Sequence, residues 1–226
     1  MKARLFAVVG PEGLLGHRVW LLIRTFVRVV LYRRFKVRFE GLEHMDLTGP
    51  FILAPVHRSN LDGPLVGSSI NRRVRYLGKE SLFKNPPAAW FMTAVGAFPV
   101  RRGEADLDAM RAAKGLLDDG NCMLVFPEGT RQEGDAVGEI FDGTAWLAGK
   151  ARVPVVPVGI IGTEHAMPSG TKIPKKVQVA IVAGPALAPP GEDGKRVLRS
   201  ELKDWTAELE TMLSALQVRA RELATD

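Results

Sequence analysis

His57 and Asp62 close the stretch His57-Arg58-Ser59-Asn60-Leu61-Asp62, and their types suit a base that takes a proton from a hydroxyl. Histidine titrates near neutral pH, and a carboxylate on one ring nitrogen fixes its tautomer and stabilises its charged form. Further along, Phe126-Pro127-Glu128-Gly129-Thr130-Arg131 follows an apolar run and offers an arginine on a turn, a place to hold an anion. Together the two stretches point to an enzyme acting on an anionic substrate.

Such a pair meets only in the right setting. Five residues apart on a continuous helix, two side chains stand well apart. A histidine on a loop and an aspartate beginning the next helix satisfy the requirement, and the patterning supplies both. The apolar run 51–56, launched from Gly49-Pro50, reads as a strand with His57 at its carboxyl end, and Gly63-Pro64 suits the start of a helix reaching residue 70. The run 122–126 reads as another strand, delivering Pro127 to Arg131. Further strands are expected over 36–40, 73–77, 97–100, 153–161 and 177–182, with a turn-helix stretch over 79–95 and helices over 105–117, 144–149 and 195–222. Strands alternating with helices imply an α/β fold, a mixed, largely parallel sheet flanked by helices. In such sheets sites form beyond the carboxyl ends of strands, an address that His57 and Glu128 share.

The same residues admit other readings. Asp62 could simply cap a helix beside a loop histidine. A metal site needs a clustered third ligand, which the sequence does not show. Ser59 lies near His57, but no Gly-x-Ser-x-Gly elbow exists, and Cys122 sits inside an apolar strand as a small core residue. The activated hydroxyl therefore belongs to the substrate, favouring direct group transfer over a covalent enzyme intermediate. Ser59 and Thr130 are candidate polar contacts.

Four blocks, in order from about Lys36 to Leu187, resemble the 1-acylglycerol-3-phosphate acyltransferases and related glycerolipid acyltransferases, which make phosphatidic acid from lysophosphatidic acid. His57 to Asp62 is similar to the family's His-x4-Asp block. Lys79, Leu82-Phe83, Pro86 and Gly96-Ala97-Phe98-Pro99-Val100-Arg101-Arg102 resemble the second; Phe126 to Arg131 matches the third; Val153-Pro154-Val155-Val156-Pro157-Val158 resembles the fourth. The resemblance implies that His57 deprotonates the acceptor hydroxyl, which attacks an acyl thioester, while Asp62 orients His57. It further implies that Lys79, Arg102 and Arg131 bind the acceptor phosphate, with Glu128, Gly129 and Thr130 in the acceptor-binding turn. Arg102 is favoured over Arg101 because the pattern has one arginine after a variable residue. Acyl-CoA or acyl-carrier protein would be the donor, with no metal or other cofactor. The acceptor could instead be glycerol-3-phosphate, another lysophospholipid or a glycolipid. Val56 before the histidine, and Asp142-Gly143 where a basic residue and glycine are common, depart from the pattern.

Composition narrows the partners. A net charge of +6 and a pI near 9.7 favour anionic ones. Basic residues are dispersed and only 7% of the chain is aromatic, leaving no base-stacking platform for nucleic acid. One cysteine excludes an intrachain disulfide. Residues 14–32 are apolar but carry His17, Arg18, Arg24 and Arg28, a poor pattern for a spanning helix. On a helical wheel Val19, Leu22, Ile23, Phe26, Val27, Val29 and Val30 share one face and the basic residues the other. That pattern predicts a helix on an anionic membrane surface; the competing reading is an ordinary packed helix with its arginines in water. The expected organisation is a membrane-associating amphipathic segment, 1–35, and an acyltransferase domain, 36–226, peripheral to the cytoplasmic face of the cell membrane. His17, His44 and His165 read as surface or structural.

Overall fold

The structure, a computed structural model, describes residues 10–100, 107–168, 171, 173–192, 195 and 197–225. Helix α1 (Leu14–Phe26) continues through a π-helical turn (Val27–Leu31) into a last turn (Tyr32–Arg34). Then come β1 (Arg38–Glu40), β2 (Ile52–Pro55), α2 (Asp62–Ser69), β3 (Val74–Lys79), α3 (Pro86–Ala94), β4 (Ala97–Val100) and α4 (Leu107–Asp118). The chain continues with β5 (Cys122–Leu124), α5 (Gly143–Ala151), β6 (Val155–Ile161), the short α6 (Thr163–Ala166), β7 (Ala180–Ala183) and the long α7 (Arg199–Thr225). The strands form one sheet in the order β1-β7-β6-β2-β5-β3-β4. Strands β6, β2, β5, β3 and β4 run one way, and β7 turns against β6 with β1 parallel to it. The mixed, largely parallel α/β sheet expected from the patterning is therefore present.

Every residue of β2, β5 and β7 is buried, as a sheet covered by helices on both faces requires. The expected element boundaries moved where the backbone turns. Lys36 takes a positive φ of 43° and Arg152 one of 53°, so β1 and β6 begin two residues later than their apolar runs. Residues 105 and 106, expected to open a helix, lie outside the described residues.

Helix α7 covers β6 and β7, burying Trp205, Leu209 and Leu213. Its backbone comes so close to the sheet that a Cβ on Gly159 would stand 2.5 Å from the Leu216 carbonyl oxygen. The buried Gln217 Oε1 accepts the Ile160 N–H at 2.7 Å, giving that strand amide a partner from the helix.

Helix α1 packs in an orientation that neither sequence reading anticipated. Arg24 and Arg28, partly buried, turn their guanidinium groups toward the domain. Arg28 donates to the carbonyls of Ser68 (2.6 Å), Ser69 (2.7 Å) and Ile70 (3.1 Å), and Arg24 Nε to Ile70 O (2.9 Å). These carbonyls end helix α2, where four acceptors lack intrahelical donors and the helix dipole favours positive charge. Burial, and after it the neighbouring Arg28, push Arg24 below its ordinary value. Gly16, Trp20 and Val27 are buried beneath α1, while Leu14, Leu15, Leu22, Phe26, Val29 and Val30 point outward. Val27 and Phe35 belong to the same core as β2 and β6, so α1 and the domain share packing across residue 35.

Candidate active site

Parallel pairing places the candidate site residues. Register Leu53↔Leu124 sets β2 beside β5, so the chain leaving β2 at His57 and the chain leaving β5 at Glu128 emerge as neighbours. On the other flank Pro55 pairs with Val158 of β6, which delivers Thr163 to His165 to the same edge. Strand β3, next to β5, ends at an exposed Lys79 two strands from β2.

His57 and Asp62 meet as expected. His57 Nδ1 lies 2.9 Å from Asp62 Oδ2, with the aspartate fully buried and the histidine 5% exposed. The same oxygen accepts the backbone N–H groups of Arg58 (2.6 Å) and Ser59 (2.7 Å). A carboxylate only accepts, so the Nδ1 proton belongs to this contact and Nε2 keeps its lone pair. Phe126 stacks on the imidazole, centroids 3.7 Å apart and planes 14° apart, which fixes the ring's tilt. The pair stands on a loop running into α2, not within one continuous helix, as its spacing demanded.

Glu128 takes a place that its assignment to an acceptor turn did not foresee. It is fully buried, accepts the His57 N–H at 2.6 Å through Oε2 and the Gly138 N–H at 2.8 Å through Oε1, and holds Arg58 Nη1 at 2.9 and 3.0 Å. Its oxygens serve the protein rather than an open surface. Arg58 escaped notice because an arginine at a variable loop position reads as a solvated side chain. Gly129 has a φ of 67°, a left-handed turn that suits glycine, and leads to exposed Thr130 and Arg131. These two, with Gln132, Glu133, Gly134, Glu164, His165 and Pro168, line an open groove of about 540 Å³ that reaches the buried Arg58, the residue after His57. His165, read as surface or structural, thus shares the groove with Arg131.

Arg102 and Arg101 lie outside the described residues. Asp142, a departure from the family pattern, accepts a hydrogen bond from Thr206 Oγ1 at 2.9 Å and ties the start of α5 to α7. Ser59 Oγ donates to Met167 O at 3.1 Å. Cys122 is buried, donates to Arg73 O at 3.4 Å, and has its thiol pushed up by burial, the opposite of what a nucleophile needs. Among the described residues no three His, Cys, Asp or Glu side chains converge as metal ligands.

Comparison with known proteins points to one family. A family model described as Acyltransferase matches residues 36–161. A chloroplastic 1-acyl-sn-glycerol-3-phosphate acyltransferase of Arabidopsis thaliana is 28% identical over 154 residues, covering 67% of this chain and 43% of its own length. The 1-acyl-sn-glycerol-3-phosphate acyltransferase of Bacillus subtilis (strain 168) is 25% identical over 197 residues, covering 84% and 96%. The crystal structure of the 1-acyl-sn-glycerophosphate (LPA) acyltransferase PlsC from Thermotoga maritima superposes with a TM-score of 0.67 at 27% identity, covering 87% of this chain and 80% of that one. The chain spans less than half the length of its plant and algal relatives, 43%, 44% and 48%. The matched stretch runs from the approach to β1 to the end of β6 and contains His57, Asp62 and the Glu128 turn: the chain belongs to the acyltransferase family.

Proposed function

We infer that the protein moves a fatty acyl group from an acyl thioester, acyl-CoA or acyl-carrier protein, to the free hydroxyl of lysophosphatidic acid, giving phosphatidic acid for phospholipid biosynthesis. The observation carrying this reading is the buried 2.9 Å His57 Nδ1–Asp62 Oδ2 contact, which fits Nε2 to take the acceptor's proton. The hydroxyl oxygen attacks the thioester carbonyl, the carbon–sulfur bond breaks, and the proton held on His57 passes to the leaving thiolate. Asp62 holds the ring and stabilises its charged form. Arg131, exposed on the turn beside the groove, would hold the acceptor phosphate, joined by Lys79 at the end of β3 and by Arg102, which the family pattern adds to the basic set. Thr130 would add a hydroxyl contact. The relatives' printed names supply the acceptor.

The lipid acceptor asks for a membrane surface. Helix α1 fits one with its outward apolar residues, led by Leu22 (68% exposed), beside exposed Arg18, Arg33 and Arg34. Among the described residues no helix is long and apolar enough to cross a membrane. The outward apolar residues of α1 support seating on the surface of the cell membrane, which we propose to be its cytoplasmic face.

The test is His57→Ala assayed with lysophosphatidic acid and acyl-CoA. Transfer should fall by roughly 10²- to 10⁴-fold, the range for losing a general base, with the thermal midpoint retained. Activity equal to wild type would sink the assignment.

A further inference from the structure

The buried pair Arg58–Glu128 joins two loops that carry different parts of the reaction. Both side chains are fully excluded from solvent. Arg58 Nη1 reaches both Glu128 oxygens and its own neighbour His57 O (2.9 Å), and Nη2 donates to Ala136 O (2.8 Å). Glu128 in turn accepts the N–H groups of His57 and Gly138, and the Gln132 N–H donates to His57 O at 2.9 Å. The turn bearing Thr130 and Arg131 is thus pinned to the His57 loop at 128, 132 and 136, and Gly138 is tied to it through Glu128. A buried ion pair adds little net stability against well-packed apolar residues, so stability alone gives weak reason for two charges here. Several bonds of this pair do share one property. Those from Arg58 to Glu128 and Ala136 O, and from His57 N to Glu128, fix the base loop relative to the turn that presents Arg131.

We propose that Arg58 is a positioning residue that sets the separation between the His57 base and the anion grip at Arg131, registering the acceptor's hydroxyl and phosphate together. The acceptor chemistry in this statement rests on the acyl-transfer reading above; the clamp itself rests on the contacts. Arginine suits the role because its planar fork reaches Glu128 and Ala136 O at once. A lysine keeps the charge that neutralises Glu128 but offers a single point donor. Arg58 acts through its neighbours, since its own side chain is closed to solvent.

The test compares Arg58→Lys with wild type on two acceptors, lysophosphatidic acid and a monoacylglycerol of the same chain, with one acyl-CoA. Misregistration should cut the kcat/KM preference for the phosphorylated acceptor by about tenfold, because placement errors of an ångström or less carry such factors. Leu213→Ala, a core change that removes none of these hydrogen bonds, lowers both acceptors together and leaves the ratio unchanged. An unaltered ratio in Arg58→Lys overturns the proposal. Hydrogen exchange of the full chain gives a readout independent of substrate: the Gln132 and Gly138 amides should exchange about tenfold faster in Arg58→Lys, as expected when a local opening becomes easier. Unchanged exchange there also overturns it. If wild type acylates neither acceptor, the substrate reading falls while the exchange result still decides the clamp.

Discussion

One oxygen of Asp62 receives three N–H groups, from the His57 ring and from the Arg58 and Ser59 backbone. That crowding makes a full carboxylate the better residue at this point, because an ionised acceptor forms shorter and stronger bonds than an amide oxygen. Asp62→Asn keeps the volume but can present its NH2 to donors, so kcat should fall by roughly 10²-fold or more, toward the scale of a misoriented base. Equal kcat in wild type and variant would show that the ring needs no carboxylate. The exposed Arg131 plays a different part. Arg131→Ala should raise the apparent KM for lysophosphatidic acid more than that for the thioester, measured by varying each substrate in turn; an equal rise would argue against a phosphate contact.

The two edges of helix α1 have separate tasks. Arg24 and Arg28 satisfy the carbonyls that end α2, so Arg28→Ala leaves several acceptors short of a donor. It should cost about 1–3 kcal/mol of stability, read by denaturant unfolding. The outward residues make no such contacts. Phe26→Glu should leave the unfolding midpoint near wild type and lower flotation with anionic liposomes; undiminished flotation would remove α1 from the membrane-facing surface. Replacing single residues is cleaner than deleting 1–35, which would also strip Trp20 and Val27 from the packed face. Because α2 begins at Asp62, the helix that α1 caps at one end presents the aspartate at the other.

Across the whole molecule, helix α7 and the sheet approach to backbone distance at Gly159. Gly159→Ala would set a methyl 2.5 Å from Leu216 O and force the helix off β6. Overpacking of this kind costs typically about 1–3 kcal/mol, and the shift would disturb Gln217, which bonds Ile160 N. A lowered melting temperature in calorimetry is the expected outcome. An unchanged value would mean that the helix moves freely over the sheet. The same helix reaches the site's far loop, where Arg221 pairs with Asp135 at 3.0 Å.

Much of this was legible in the residue order because the signals are local. The runs 51–56 and 122–126 are apolar enough to be buried strands, and the spacing of His57 to Asp62 admits a strand-to-helix loop and excludes a helix. Strand ends and the loop chemistry after them follow from the same short windows. The partner of Glu128 did not. Arg58 stands 70 positions away, and neither charge has a local pattern that distinguishes burial from solvation. Nor could a helical wheel reveal that Arg24 and Arg28 turn inward, since the wheel sorts side chains by polarity while the carbonyls ending α2 lie 40 or more positions on. The sequence by itself determined the alternation of strands and helices, the pairing of His57 with Asp62 and the turn that follows β5. Only the tertiary structure decided which buried charges face each other. Burying a polar group is costly until it finds a partner, and that partner is chosen by the packing of distant elements.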